Sequence, residues 1–301
     1  MNQVLLKIKQ KNNIRFLKGY FPSKASFDWR VRDLKNEINN YNMLKNKYGY
    51  IINDMDWNKK PIKTEKIVWT CWFQGEAQAP DIVKLCLNSI KKNLFEYKII
   101  ILDNSNITKY VSLPDYIWKK YKKKQISVAH FSDLVRLNLL NQYGGFWIDA
   151  TVLCTSDRLI NRIQNSDLDM FCYKDIFSID SYYSGISNWF MYSKKSNTYL
   201  ETLEQMLLHY WKKENNVCDY FIFHIFFMII KEEKNEYWEN IPTYCNSVPH
   251  LMQNELFALE SEERMKEIMS MSDMHKLSYK FLESDFKKKN TMYYKLKEMY
   301  L

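Results

Sequence analysis

Glycine and proline are both scarce, with six of each in 301 residues. That scarcity excludes collagen-like, linker-rich and glycine-rich repeat architectures. Cysteine is also sparse. Cys71, Cys86, Cys154, Cys172, Cys218 and Cys245 form no C-x-x-C pair, and several stand inside apolar runs. This excludes a zinc ribbon or a disulfide frame and predicts reduced thiols in a cytoplasmic protein. Long hydrophobic runs are missing as well. The longest, Tyr220 to Ile230, is interrupted by His224 and is too short to span a bilayer. The first residues carry no apolar stretch of secretory type. A soluble protein, or one peripheral at the inner face of the cell membrane, is expected.

What is present is a globular composition: 46% hydrophobic, 26% charged and 16% aromatic residues. The aromatics supply core, and they also suit flat ligands such as sugars and bases. The net charge is +9, most of the excess being lysine. A basic balance points to an anionic partner: nucleic acid, anionic lipid or a phosphorylated substrate. A merely solvated lysine surface is the competing explanation. No nucleic-acid-binding motif occurs, so nucleic acid is not an expected partner.

Residues 1–60 read as a polar helical extension, 61–255 as an α/β domain and 256–301 as a helical C-terminal extension. Lys66 to Phe73 and Tyr97 to Leu102 are strand-like runs separated by a helix over Asp81 to Asn93. A helix from about His130 to Tyr143 stops at Gly144-Gly145, and a third strand, Phe146-Trp147-Ile148, ends in Asp149. Such alternation predicts a mainly parallel sheet. Ligands of these sheets bind beyond the carboxyl ends of strands, here Gln74, Gly75, Asp103 and Asp149.

The densest chemistry lies in Ser132 to Thr151. Asp133 and Arg136 are three apart and share a helix face. The helix is apolar nearly all round, so its charges need partners or a ligand. An intrahelical ion pair and a ligand contact both satisfy that need. The Gly-Gly turn then delivers Asp149 to a strand end, where a carboxylate can meet a metal and a diphosphate.

This ordered set, Ser132-Asp133-x-x-Arg136 followed by Gly144-Gly145-Phe146-Trp147-Ile148-Asp149-Ala150-Thr151, resembles the retaining glycosyltransferases of the GT-A (Rossmann-like) fold. With Trp69-Thr70-Cys71-Trp72-Phe73-Gln74-Gly75 before it, the chain is most similar to the capsular polysaccharide synthesis branch of glycosyltransferase family 32, over about residues 64–255. The resemblance implies that Trp69, Trp72 and Gln74 sit near the uracil of a UDP-sugar. Trp69 and Trp72 face opposite ways along a strand, so one of them should be core. It implies that Asp133 and Arg136 contact the donor sugar. It further implies that Gly145 and Asp149 lie at the nucleotide and that Mn²⁺ or Mg²⁺ is bound. The family's second motif aspartate is Thr151 here, a poorer ligand for a hard dication than a carboxylate. His250 is the candidate for completing the metal site.

Asp219 starts a helix, either as a plain cap or facing the sugars. His224, within its apolar run, reads as a core histidine. The Asn188-Trp189 pair can line the sugar pocket, with core packing as the alternative for Trp189. Lys119 to Lys124 and Lys287 to Lys289 read as solvated helix ends or as contacts to anionic lipid. The expected function is sugar transfer from a UDP-sugar to a growing bacterial surface polysaccharide or its lipid-linked precursor. The alternatives are a toxin-like glycosyltransferase that modifies a protein and a non-enzymatic nucleic-acid binder.

Overall fold

The computed structural model describes residues 24–174 and 185–301, with the backbone alone for 24–30. The first 23 residues of the expected extension lie outside them. Helix α1 (Lys24–Tyr48) precedes β1 (Ile67–Cys71), α2 (Asp81–Asn93), β2 (Lys98–Leu102) and α3 (Asp115–Lys122). Next come α4 (Val128–Gln142), β3 (Gly145–Ile148), β4 (Val152–Cys154), β5 (Met170–Lys174) and β6 (Ile186–Ser193). Helices α5 (Thr198–Lys213) and α6 (Ile222–Glu233), strand β7 (Met274–Lys276) and helix α7 (Met292–Tyr300) follow, with shorter helices between them.

The central sheet has the order β2-β1-β3-β6-β5. β1 is parallel to both neighbours, whereas β6 is antiparallel to β3 and to β5. Four strands therefore share one direction and β6 alone is reversed. The sheet is mostly parallel, as the strand–helix alternation predicts. Parallel pairing buries both faces of β1 and β3, which explains why they are apolar but for the buried Thr70.

Helix α4 is buried along nearly its whole length. Ser127 caps it, its Oγ accepting from the His130 N–H at 3.2 Å. Asn138 and Asn141 are inside the fold and donate to the two carboxylate oxygens of Glu204 on α5, at 2.9 and 2.6 Å. Those bonds fix the helix against the protein interior, so Asp133 and Arg136 on it have little freedom to move.

The Gly-Gly turn is a steric requirement. Gly144 and Gly145 have φ of 69° and 91°. A Cβ on Gly145 would lie 2.3 Å from Ile67 Cγ2 and 2.6 Å from the Ile67 carbonyl oxygen, because β3 starts against β1. Gly145 therefore serves the strand contact and is not part of the cleft wall described below, which corrects its expected nucleotide role. Gly145→Ala should cost about 2–4 kcal/mol from left-handed strain plus overlap. A thermal melt should show a drop of at least about 5 °C, and an unchanged melt would refute the account.

The expected extensions do not stand apart from the core. Leu44 and Tyr48 of α1 are fully buried in the same apolar cluster as Trp69 and Phe226. Lys45 bridges Glu232 and Glu233 at 2.8 and 2.7 Å. At the other end β7 pairs with β4, and α7 packs on α2 through Leu296 and Leu85. All six cysteines are free. Among the described residues no helix is long and apolar enough to cross a membrane. The basic clusters are partly spent on structure. Lys120 donates to the Trp211 and Glu214 carbonyls at 2.5 and 2.7 Å, while Lys287 and Lys288 pair with Glu283 and Asp285.

Candidate active site

A cleft of about 840 Å³ opens at the carboxyl ends of β1 and β3. Its walls come from the segment after β1, the first half of α4, the start of β6, the start of α6, and the segment after β7. Arg136 and Asp149 meet at its floor.

Arg136 is buried. Its Nη1 donates to Asp133 Oδ1 at 2.5 Å and its Nη2 to Asp149 Oδ1 at 3.3 Å. The guanidinium also lies over the Trp147 ring, 4.9 Å from the centroid. The pair is therefore an ion pair, and both of its members line the cleft. Asn188 Nδ2 gives Asp133 Oδ1 a further bond at 3.0 Å. Asp149 Oδ1 also accepts from Trp147 Nε1 at 2.8 Å. Its Oδ2 accepts from Lys276 Nζ at 2.9 Å.

The two carboxylates respond in opposite directions. Burial raises Asp133, and the attraction of Arg136 offsets only part of that. Burial also pushes Asp149 upward, but Lys276 and Arg136 outweigh it and hold its carboxyl below the usual range. Asp149 is thus the firm anion of the site. His224 lines the cleft rather than serving only as core. Burial, and then the nearby Arg136, lower it to about 4, so it is neutral at physiological pH.

Several expected site residues lie elsewhere. Trp69 is buried under the sheet, its Nε1 donating to the Gly144 carbonyl at 3.0 Å, with Tyr110 and Tyr143 against its ring. It is the core member of the tryptophan pair and offers no face to a base. Trp72 and Gln74 do line the cleft, while Gly75, φ 84°, lies behind them near Asp103. Asp103 Oδ1 accepts from the Ser105 and Asn106 N–H groups at 2.8 and 3.1 Å, so it shapes a turn outside the cleft wall. Asp219 is committed likewise. Its Oδ1 takes the Phe221 N–H at 2.8 Å and its Oδ2 the Asn40 amide at 2.9 Å. It leads the chain into α6 and ties it to α1, and the cleft begins only at Tyr220.

Other residues join the cleft that the sequence did not mark. Tyr279 stands edge-on to Trp72 at 5.3 Å, making an aromatic wall, and the Trp72 Nε1–H is buried with no partner among the described residues. Lys276 and Lys280 complete the charge. Among the described residues, three cations on the walls, Arg136, Lys276 and Lys280, face two carboxylates, Asp133 and Asp149. These walls are suited to an anionic ligand.

The residues expected to hold a dication fit it poorly. Lys276 Nζ sits between the two motif positions, 2.9 Å from Asp149 Oδ2 and 2.6 Å from Thr151 Oγ1. Thr151 adds no charge. His250 lines the cleft, its Nδ1 facing the Asn246 carbonyl at 2.8 Å, an outer bond that metal-binding histidines also make. Among the described residues no three His, Cys, Asp or Glu side chains converge, so Asp149 is the one carboxylate at the motif positions.

The chain is 23% identical over 171 residues to O-glycosyltransferase braB of Annulohypoxylon truncatum, covering 53% of this chain and 41% of that protein. It is 25% identical over 184 residues to O-glycosyltransferase PaGT of Phomopsis amygdali, covering 56% and 44%. The chain thus spans less than half the length of these curated relatives. A solved structure, PaToxG Glycosyltransferase, superposes with a TM-score of 0.40 at 12% identity, over 89% of this chain and 98% of that one. The family model for capsular polysaccharide synthesis proteins matches residues 27–296, which takes in both α1 and β7, and the chain belongs to that family.

Proposed function

We propose that the protein is a glycosyltransferase that binds a UDP-sugar in this cleft and passes the sugar to a hydroxyl of a glycan or its lipid-linked precursor in surface-polysaccharide assembly. One observation carries the reading. The buried Asp133 and Arg136, linked to the half-buried Asp149 and Lys276, share a cleft with an aromatic wall, at the strand ends where α/β sheets bind nucleotides. The relatives are named O-glycosyltransferases, which supports an oxygen acceptor.

In this arrangement the base stacks on Trp72, with Tyr279 at the edge and Gln74 in reach of its polar rim. The diphosphate lies over Arg136 and Lys276. Asp133, held by Arg136 and Asn188, faces the donor sugar. Among the described residues both wall carboxylates, Asp133 and Asp149, are tied to cations, which favours a route without a protein nucleophile. Transfer with retention then follows a front-face course. The bond from the anomeric carbon to the phosphate oxygen breaks, and the acceptor oxygen bonds to the same face. The acceptor proton passes to the departing phosphate. The enzyme supplies position and charge stabilisation for the leaving group. Lys119, Lys122, Lys123 and Lys124 are exposed and available for anionic lipid beside a lipid-linked acceptor.

Isothermal calorimetry with UDP, GDP and CDP tests the base. UDP should bind at least about tenfold more tightly than the others, and at 100 times its Kd it should add about 2.7 kcal/mol of stability. Equal affinities for all three would overturn the uracil assignment. Transfer assays with UDP-sugars and glycan acceptors then test the reaction itself.

A further inference from the structure

We infer that Lys276 takes the place of a divalent ion in this cleft, so that the donor diphosphate is held and its departing charge neutralised by Lys276 and Arg136 without a metal. The inference rests on the nucleotide-sugar reading of the site and says how that site handles phosphate.

The argument starts from backbone register. β7 runs antiparallel to β4, and Lys276 is the partner of Val152, the first residue after the Asp149-Ala150-Thr151 turn. The Leu277 N–H donates to the Thr151 carbonyl at 2.8 Å, so β7 is fastened to that turn. The side chain of Lys276 is consequently delivered to Asp149 and Thr151 by main-chain pairing. Its ammonium bonds to Asp149 Oδ2 and Thr151 Oγ1, at 2.9 and 2.6 Å. A dication bridging those oxygens would need the same space and would meet a like charge. Residue 151 agrees with this. A hydroxyl is a good acceptor for one ammonium N–H, whereas a second carboxylate would over-neutralise it. An ammonium has three N–H donors, and two are satisfied here. The third, at the cleft floor, is available to a phosphate oxygen as a charge-assisted bond. Arg136 supplies the second cation from the other side of Asp149. Asp149 then orients both cations, one on each carboxylate oxygen.

The test is calorimetric binding of UDP, GDP and CDP to the full chain, in EDTA and in Mn²⁺, with uridine as the phosphate-free probe. The expected result is a nucleoside diphosphate Kd that changes less than about threefold between the two buffers. Lys276→Met should weaken that diphosphate at least about tenfold and leave uridine within about twofold, because only the phosphate contact is lost. Lys276→Arg, which keeps the cation, should restore most of the affinity. Should Lys276→Met fail to fold, the buffer comparison on the unaltered protein and the Lys276→Arg variant decide. Diphosphate binding that requires Mn²⁺ overturns the inference and leaves the donor-site reading intact. Unchanged diphosphate binding in Lys276→Met, or equal losses for uridine and diphosphate, also overturns it. If no nucleoside diphosphate binds in either buffer, both the inference and the reading beneath it fall.

Discussion

Asp149→Asn should lower transfer at least about 10²-fold, comparable to the loss of one preorganised charge-stabilising group, while the protein stays folded. The amide keeps the carboxylate's shape. Its oxygen can still accept from Trp147 Nε1, now at 2.8 Å from Asp149 Oδ1. The amide nitrogen then faces Lys276 Nζ, a donor against a donor, and the ammonium loses its anchor. A stability loss of about 1–3 kcal/mol is expected from that mismatch. The informative measurement is nucleotide affinity beside turnover. With Lys276 as the phosphate-binding cation, removal of Asp149's charge leaves the cleft more positive, and UDP should bind as well as before or better. The defect then appears in kcat. If Asp149 were chiefly a metal ligand, UDP affinity in Mn²⁺ would fall together with turnover. Full turnover in Asp149→Asn would remove Asp149 from the reaction.

The parts of the site that the sequence displays are those assembled by local geometry. Asp133 and Arg136 share a helix face because they are three apart, and they do pair. Two glycines with positive φ turn the chain from α4 into β3, which carries Asp149 to the strand end. Residue type misled where one chemistry serves two purposes. Asp103 and Asp219 stand at loop positions, but carboxylates there also take backbone N–H groups, and both do so. Trp69 and Trp72 are indistinguishable by type. Strand alternation says that one is core, and the bond from Trp69 Nε1 to the Gly144 carbonyl shows which. His224 in an apolar run reads as core, yet the start of α6 turns toward the cleft. Lys276 left no local trace at all. It follows Met274 and His275 in a three-residue strand, 127 positions after its partner Asp149. Only the pairing of β7 with β4 makes it part of the site, and no periodicity encodes a contact of that range. For the same reason a boundary at residue 255 separates what the fold joins.

Arg136→Ala should be both inactive and unstable, and a second substitution should separate the two effects. Removal of the guanidinium leaves Asp133, 8% exposed, with the Asn188 amide as a hydrogen-bond donor and His130 nearby, but without its ion-pair partner. Breaking a buried pair from one side costs about 3–5 kcal/mol because the other charge stays buried. Asp149 suffers less, since Lys276 and Trp147 still hold it. Asp133→Asn added to Arg136→Ala removes the stranded charge. Urea unfolding should then recover about 2 kcal/mol, a coupling of the size expected for contacting residues. Transfer should not recover, because the cation over the leaving group is still missing. The pH dependence has a definite sign. Burial already raises Asp133 with Arg136 present, and loss of Arg136 removes the main force lowering it. The folded single variant therefore binds a proton more tightly than its unfolded chain does, and it gains stability relative to the parent as pH falls from 7 toward 5. The double variant, with no carboxyl at 133, should lack that gain. Recovery of both stability and transfer in the double variant would make Arg136 a structural ion pair alone. An Arg136→Ala protein that melts like the parent would show that Asp133 finds another partner.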